Sequence, residues 1–101
     1  MPIFVVNMKH TPESCPIFNN DVKNKFKQAV VNRKEVAKKL GIKVISAYTS
    51  TLSHLIFLIL EAPTQQAVEG YLIESGMAFW NNVEILTQVQ PVEDVINKLV
   101  G

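Results

Sequence analysis

The 101 residues include one cysteine, one tryptophan and four glycines. A single thiol cannot close an internal disulfide, and no basic leader followed by an apolar run and a cleavage site opens the chain, so the expected setting is the cytoplasm. Long hydrophobic runs are missing too. The longest, "LIFLIL" at residues 55–60, is about a third of what a membrane span requires, which makes it a buried strand and excludes a membrane partner. Charge of one sign is not in excess: ten Lys and Arg stand against nine Asp and Glu, for a formal net charge of +1. The basic residues lie mainly along one helical stretch rather than among aromatics, which argues against nucleic acid. There is no glycine-rich phosphate loop, so nucleotide chemistry lacks support, and no cofactor is called for. No linker, repeat or low-complexity tract divides the chain, and residues 1–101 are expected to form one domain with one modest core.

What is present reads as a single series of elements. "PIFVVNMKH" (residues 2–10) is β-branched and apolar at its start and polar at its end, as suits a first strand running out toward a loop. A helical pattern runs from Asn20 or Asp21 to Leu40 and stops at Gly41. "IKVISAYTS" and "HLIFLILEA", joined by the polar link "TLS", predict a hairpin. Pro63 and Thr64 open a shorter helix, "QQAVEGYLIES", which Gly76 ends. "NVEILTQVQ" alternates as a fourth strand, and "PVEDVINKLV" is a last short helix with proline in its first turn. The order βαββαβ plus a terminal helix is that of an α+β, ferredoxin-like fold with an antiparallel four-stranded sheet and a C-terminal helix.

The central strands carry an expectation about assembly. Along the third strand His54, Ile56, Leu58 and Leu60 point one way while Leu55, Phe57 and Ile59 point the other; along the first, Phe4, Val6 and Met8 oppose Ile3 and Val5. Both faces are apolar, yet the two helices of a βαββαβ chain cover only one, and a sheet with one face in water should alternate apolar with polar. A second copy of the chain is the simplest cover, so a homodimer is expected.

The element order, the length and the run "LEAPTQQAVEGYLIESGMAFWNNVEILTQVQ" resemble the dimeric α+β barrel superfamily, which includes muconolactone isomerase and small antibiotic-biosynthesis monooxygenases. The resemblance implies two sheets packed face to face into a barrel, with a cleft for a small apolar or aromatic ligand. It rests on pattern and carries no catalytic signature, and "HTPESCP" is not part of the isomerase pattern. The function it implies is small-molecule action, of the isomerase or cofactor-independent monooxygenase sort on a small apolar or aromatic acid. The alternative is a non-catalytic binding module for an apolar or lipid-like ligand.

The candidate site is the segment "NMKHTPESCPIFNND". His10 near Cys15 can stabilise a thiolate or act as its base, which makes the two a candidate catalytic pair. The plainer alternative has His10 ending the strand and Cys15 as a small buried hydrophobe. The first strand's end and the last strand's start lie side by side in this topology, so Trp80 and Asn81 are expected near His10, with Asn7 or Asn81 as hydrogen-bond donor. Tyr48 and Trp80 are candidate cleft walls. On the long helix, advancing 100° per residue from Val22 puts Phe26, Ala29, Val36, Ala37 and Leu40 within about 60° and Arg33 at about 20°, inside the apolar stripe. Arg33 is therefore expected to be largely buried; the plainer reading has it lying under the sheet edge and snorkelling, or paired with an internal carboxylate such as Glu61 or Glu84, and the functional one has it clamping a ligand carboxylate. No metal site is expected: zinc needs three or four ligands, and reading the first and third strands as parallel puts His10 and His54 at opposite ends of the sheet, leaving only a site between subunits.

Overall fold

The computed structural model describes residues 1–100. Four strands, β1 (Ile3–Lys9), β2 (Lys43–Ser50), β3 (Leu55–Glu61) and β4 (Asn82–Val89), form one antiparallel sheet in the order β2-β3-β1-β4. Helices α1 (Asn20–Leu40), α2 (Gln65–Glu74), the single turn α3 (Met77–Trp80) and the terminal α4 (Val92–Val100) complete the chain. This is the α+β, ferredoxin-like arrangement read from the element order, with β3 and β1 central.

Local chemistry sets the boundaries. Asn19 caps α1 by accepting a hydrogen bond from the Val22 amide at 3.1 Å, while its own amide donates to the Glu13 carbonyl at 2.9 Å, tying the helix start to the preceding loop. Gly41 ends the helix at φ +72°, a left-handed conformation that costs a residue with a Cβ more. Thr64 caps α2 through the Ala67 amide at 3.1 Å. Phe4, Val6 and Met8 of β1 and Ile56, Leu58 and Leu60 of β3 are buried under the helices. Val22 of α1 and Val68, Tyr71 and Leu72 of α2 join them in one buried cluster. The alternation expected along both strands is thus observed.

One expectation is overturned. β1 and β3 run antiparallel, with Lys9 opposite Leu55, and the His10 amide donates to the His54 carbonyl at 3.1 Å. The reason is a count of chain reversals: α1 carries the chain back so that β2 runs as β1 does, and the hairpin then reverses β3. The end of β1 and the start of β3 are therefore at the same end of the sheet.

Among the described residues, the helices that join the buried core pack on one face of the sheet, and the other face carries none of them. Ile3, Val5, Leu55, Phe57 and Ile59 lie there half-buried, flanked by Tyr48 and Ile85, both largely exposed. α4 is amphipathic, with Val92, Val95, Ile96 and Leu99 on one side, and all four are exposed. The chain measures 54 × 30 × 17 Å with a radius of gyration of 15.0 Å, above the roughly 13 Å of a compact chain of this length.

Candidate functional site

Three strand ends meet at one corner of the covered face: the end of β1, the start of β3 and the start of β4. His10, just past β1, is buried, and its Nδ1 lies 3.1 Å from Asn81 Oδ1. The Asn81 amide has a fixed orientation, because its Nδ2 donates to the Met77 carbonyl at 3.0 Å. Its Oδ1 can only accept, so the imidazole carries its proton on Nδ1 and leaves Nε2 with a free lone pair. Trp80 packs edge-on against His10 at 5.0 Å between ring centroids and against Phe26 of α1 at 5.7 Å. The single turn α3 performs this positioning, since it aims Trp80 and Asn81 at the end of β1. The adjacency expected from topology is present.

Cys15 reaches the same corner through a 3-10 turn at Pro12–Ser14. Thr11 caps the turn, the Cys15 amide donates to the Pro12 carbonyl at 3.2 Å, and the Cys15 carbonyl accepts from the Phe18 and Asn19 amides at 3.0 and 2.9 Å. The thiol is buried at 3% exposure. His54 completes the corner: its ring centroid is 5.2 Å from that of His10, and His10, Cys15 and His54 each offer a donor atom within 4.8 Å of the other two. His54 is held at φ +55°, an uncommon conformation for a residue with a side chain.

From this corner a cavity of about 810 Å³ runs between α1 and the β2–β3 side of the sheet. Its walls are mostly apolar, from Phe26, Ala29 and Ala37 of α1 to Ala47 of β2 and Leu58 of β3, with Trp80 and Tyr71 beside them. Three cations of α1, Arg33, Lys34 and Lys38, line it as well, and among the described residues no carboxylate does. The volume lies in the range of pockets that enclose small ligands.

The expected residues divide between two faces. His10, Cys15, Trp80, Arg33 and Tyr48 all contribute to the cavity. Asn81 acts through His10. Asn7 does not belong with them: it alternates with Val6 and Met8 and so lies on the uncovered face, opposite Phe57 of β3. Tyr48 also sits opposite Phe57 and is largely exposed. Arg33 is exposed rather than buried and pairs with neither Glu61 nor Glu84; the described residues contain one ion pair, Lys39 with Glu74. The helix stands off the β2 side of the sheet, so the middle of its stripe opens onto the cavity instead of onto core. Arg33 is near enough to Tyr71 to act on it: burial pushes the phenol pKa up, and the guanidinium pulls it partly back.

His54, Lys34 and Lys38 were missing from the expected set. The signal for His54 was in the alternation of β3, which puts it on the face of Ile56 and Leu58. The lysines gave no such signal, because at about 120° and 160° from Val22 they belong to the solvated side of α1, and only their long stems bring them to the opening.

Burial holds the His10 imidazole below its usual 6.5; the hydrogen bond to Asn81 pulls it back up, and the neighbouring His54 pushes it further down. In the unfolded chain the group titrates near 6.5. Above that value both states are neutral and the contribution to stability is fully present; as pH falls below it, the unfolded state takes the proton first and stability drops until the folded pKa is passed. The urea midpoint of metal-free protein should therefore fall between pH 7 and pH 5, and His10→Gln should flatten that part of the profile. An equal fall in both proteins would assign it to other groups.

No family model matches the chain, and no curated protein matches it. Among solved structures it is similar to the crystal structure of SCO4226 from Streptomyces coelicolor A3(2), with a TM-score of 0.58 and 16% sequence identity over 87% of this chain and 96% of that one. At that identity the likeness concerns the fold.

Proposed function

We propose that this chain is a small-molecule protein of the dimeric α+β barrel type, and that its cavity takes a small apolar or aromatic acid. The observation that carries the proposal is the lining: apolar walls, three cations at the α1 side and no carboxylate among the described residues. An anionic ligand is favoured there by charge and by the Arg33 fork, and its apolar body by the walls. The buried Trp80 Nε1 has no hydrogen-bond partner among the described residues, and a ligand acceptor would supply one. A reaction of the isomerase or cofactor-independent monooxygenase sort needs an acid–base group in the cavity wall, and His10, with its Nε2 lone pair and with Cys15 nearby, is the candidate among the lining residues. A module that only holds its ligand needs the cavity and the cations alone.

The test is the binding of naphthalene-2-carboxylate against its uncharged amide by calorimetry. The acid should bind about tenfold more tightly, and Arg33→Met should remove most of that preference. Acid and amide bound equally, or neither bound, would overturn the proposal. Slow isomerisation or oxygenation of a bound acid, lost in His10→Gln, would distinguish an enzyme from a binding module.

The homodimer belongs to the same proposal. Two apolar surfaces, the sheet face bearing Phe57 and the outward side of α4, have no cover among the described residues. A second copy supplies both covers at once.

A further inference from the structure

We infer that His10, Cys15 and His54 form a binding site for a single borderline divalent transition-metal ion of the Zn²⁺ class, with three protein ligands and one position open to the cavity. The inference rests on the geometry of this corner and stands apart from the identity of any ligand in the cavity.

Four observations carry it. The three donors lie within 4.8 Å of one another. Donors around a four-coordinate Zn²⁺ are separated by about 3.3–3.8 Å, so closure needs movement on the order of an ångström, within reach of side-chain torsions. His54 Nδ1 is buried with no hydrogen-bond partner among the described residues, and a buried unpaired ring nitrogen is costly unless something fills its lone pair. The ring of His10 is already set for ligation: Asn81 Oδ1 accepts the hydrogen bond from Nδ1–H, leaving Nε2 free, which is the outer-shell arrangement that fixes a metal-binding imidazole. Finally, the uncommon backbone of His54 (φ +55°) turns its side chain back onto His10.

The donor set selects the ion. Two imidazoles and a thiol suit Zn²⁺ and its borderline neighbours, whereas Mg²⁺ and Ca²⁺ want oxygen ligands, and no carboxylate belongs to the cluster. Binding converts the Cys15 thiol to a thiolate and releases its proton to solvent. With three protein ligands the fourth position remains for water or for an anion. His10 and Cys15 both line the cavity, so that position lies on its side of the cluster. A metal there takes up the lone pair that an acid–base role of His10 would use, so the two roles exclude each other.

The experiment titrates Co²⁺, as the spectroscopic probe, into untagged, chelator-treated full-length chain, with Zn²⁺ competition and native mass spectrometry for stoichiometry. One ion per chain is expected, with the intense visible bands of four-coordinate cobalt and a sulfur-to-cobalt charge-transfer band in the near ultraviolet, both bleached by Zn²⁺. Cys15→Ser should abolish the charge-transfer band. His54→Asn, chosen because asparagine tolerates positive φ, should weaken Zn²⁺ binding at least 100-fold while circular dichroism stays native. Asn81→Ala should weaken it about 10- to 100-fold, as loss of an outer-shell partner does elsewhere. Weak octahedral cobalt spectra, or a Zn²⁺ affinity unchanged in folded His54→Asn and Cys15→Ser, would overturn the site.

Discussion

Phe57→Asp should convert a homodimer into a monomer. Phe57 stands near the middle of the uncovered sheet face, opposite Asn7 on one side and Tyr48 on the other. Phe57 is not part of the buried core of Phe4, Val6, Leu58 and Leu60, so the substitution leaves that core intact. In an assembly that buries the face against its twin, each copy would place an uncompensated carboxylate in an apolar interface, at a cost of about 3–5 kcal/mol. That corresponds to a weakening of association by 100-fold or more. Sedimentation equilibrium at micromolar concentration is the measurement, with circular dichroism to show that the monomer remains folded. A wild-type chain that is monomeric throughout that range would sink the idea, as would a variant that associates as tightly as wild type.

Trp80→Ala should be among the most destabilising single substitutions, by about 3–5 kcal/mol. The indole is buried, packs on His10 and on Phe26, and so joins α1 to the corner where β1, β3 and β4 meet. Its loss leaves a cavity between elements that cannot collapse without moving the helix. A loss of that size is a large fraction of the total stability of an ordinary domain. Trp80→Phe, which keeps a ring against His10, should cost less than half as much. Because Trp80 is the chain's one tryptophan, unfolding in urea must be followed by circular dichroism rather than by indole fluorescence. A cost below about 1 kcal/mol for Trp80→Ala would show that α1 holds to the sheet without it. The same variant should also impair metal binding if His10 loses its orientation, which ties the packing of this corner to its chemistry.

The sequence by itself determined the order of the strands and of the three longer helices, the ends of those helices and the two apolar faces of the central strands; the single turn at Met77–Trp80 it did not show. Those features depend on interactions between near neighbours: caps at Asn19 and Thr64, the positive φ at Gly41, and the two-residue alternation that sends Leu58 one way and Phe57 the other. The meeting of Trp80 and Asn81 with His10 was legible too, because it needs only the rule that an antiparallel neighbour starts where β1 ends. What the tertiary structure alone decided concerns direction and distance across the fold. His54 joins His10 and Cys15 only because β3 runs against β1, a fact set by the number of chain reversals and invisible in the spacing of the histidines. Arg33 lies in the middle of an apolar stripe yet is exposed, because the stripe faces a cavity at that height and packed core at its ends. Periodicity says which way a side chain points along its own element, but what stands opposite is fixed by how far one element lies from the next.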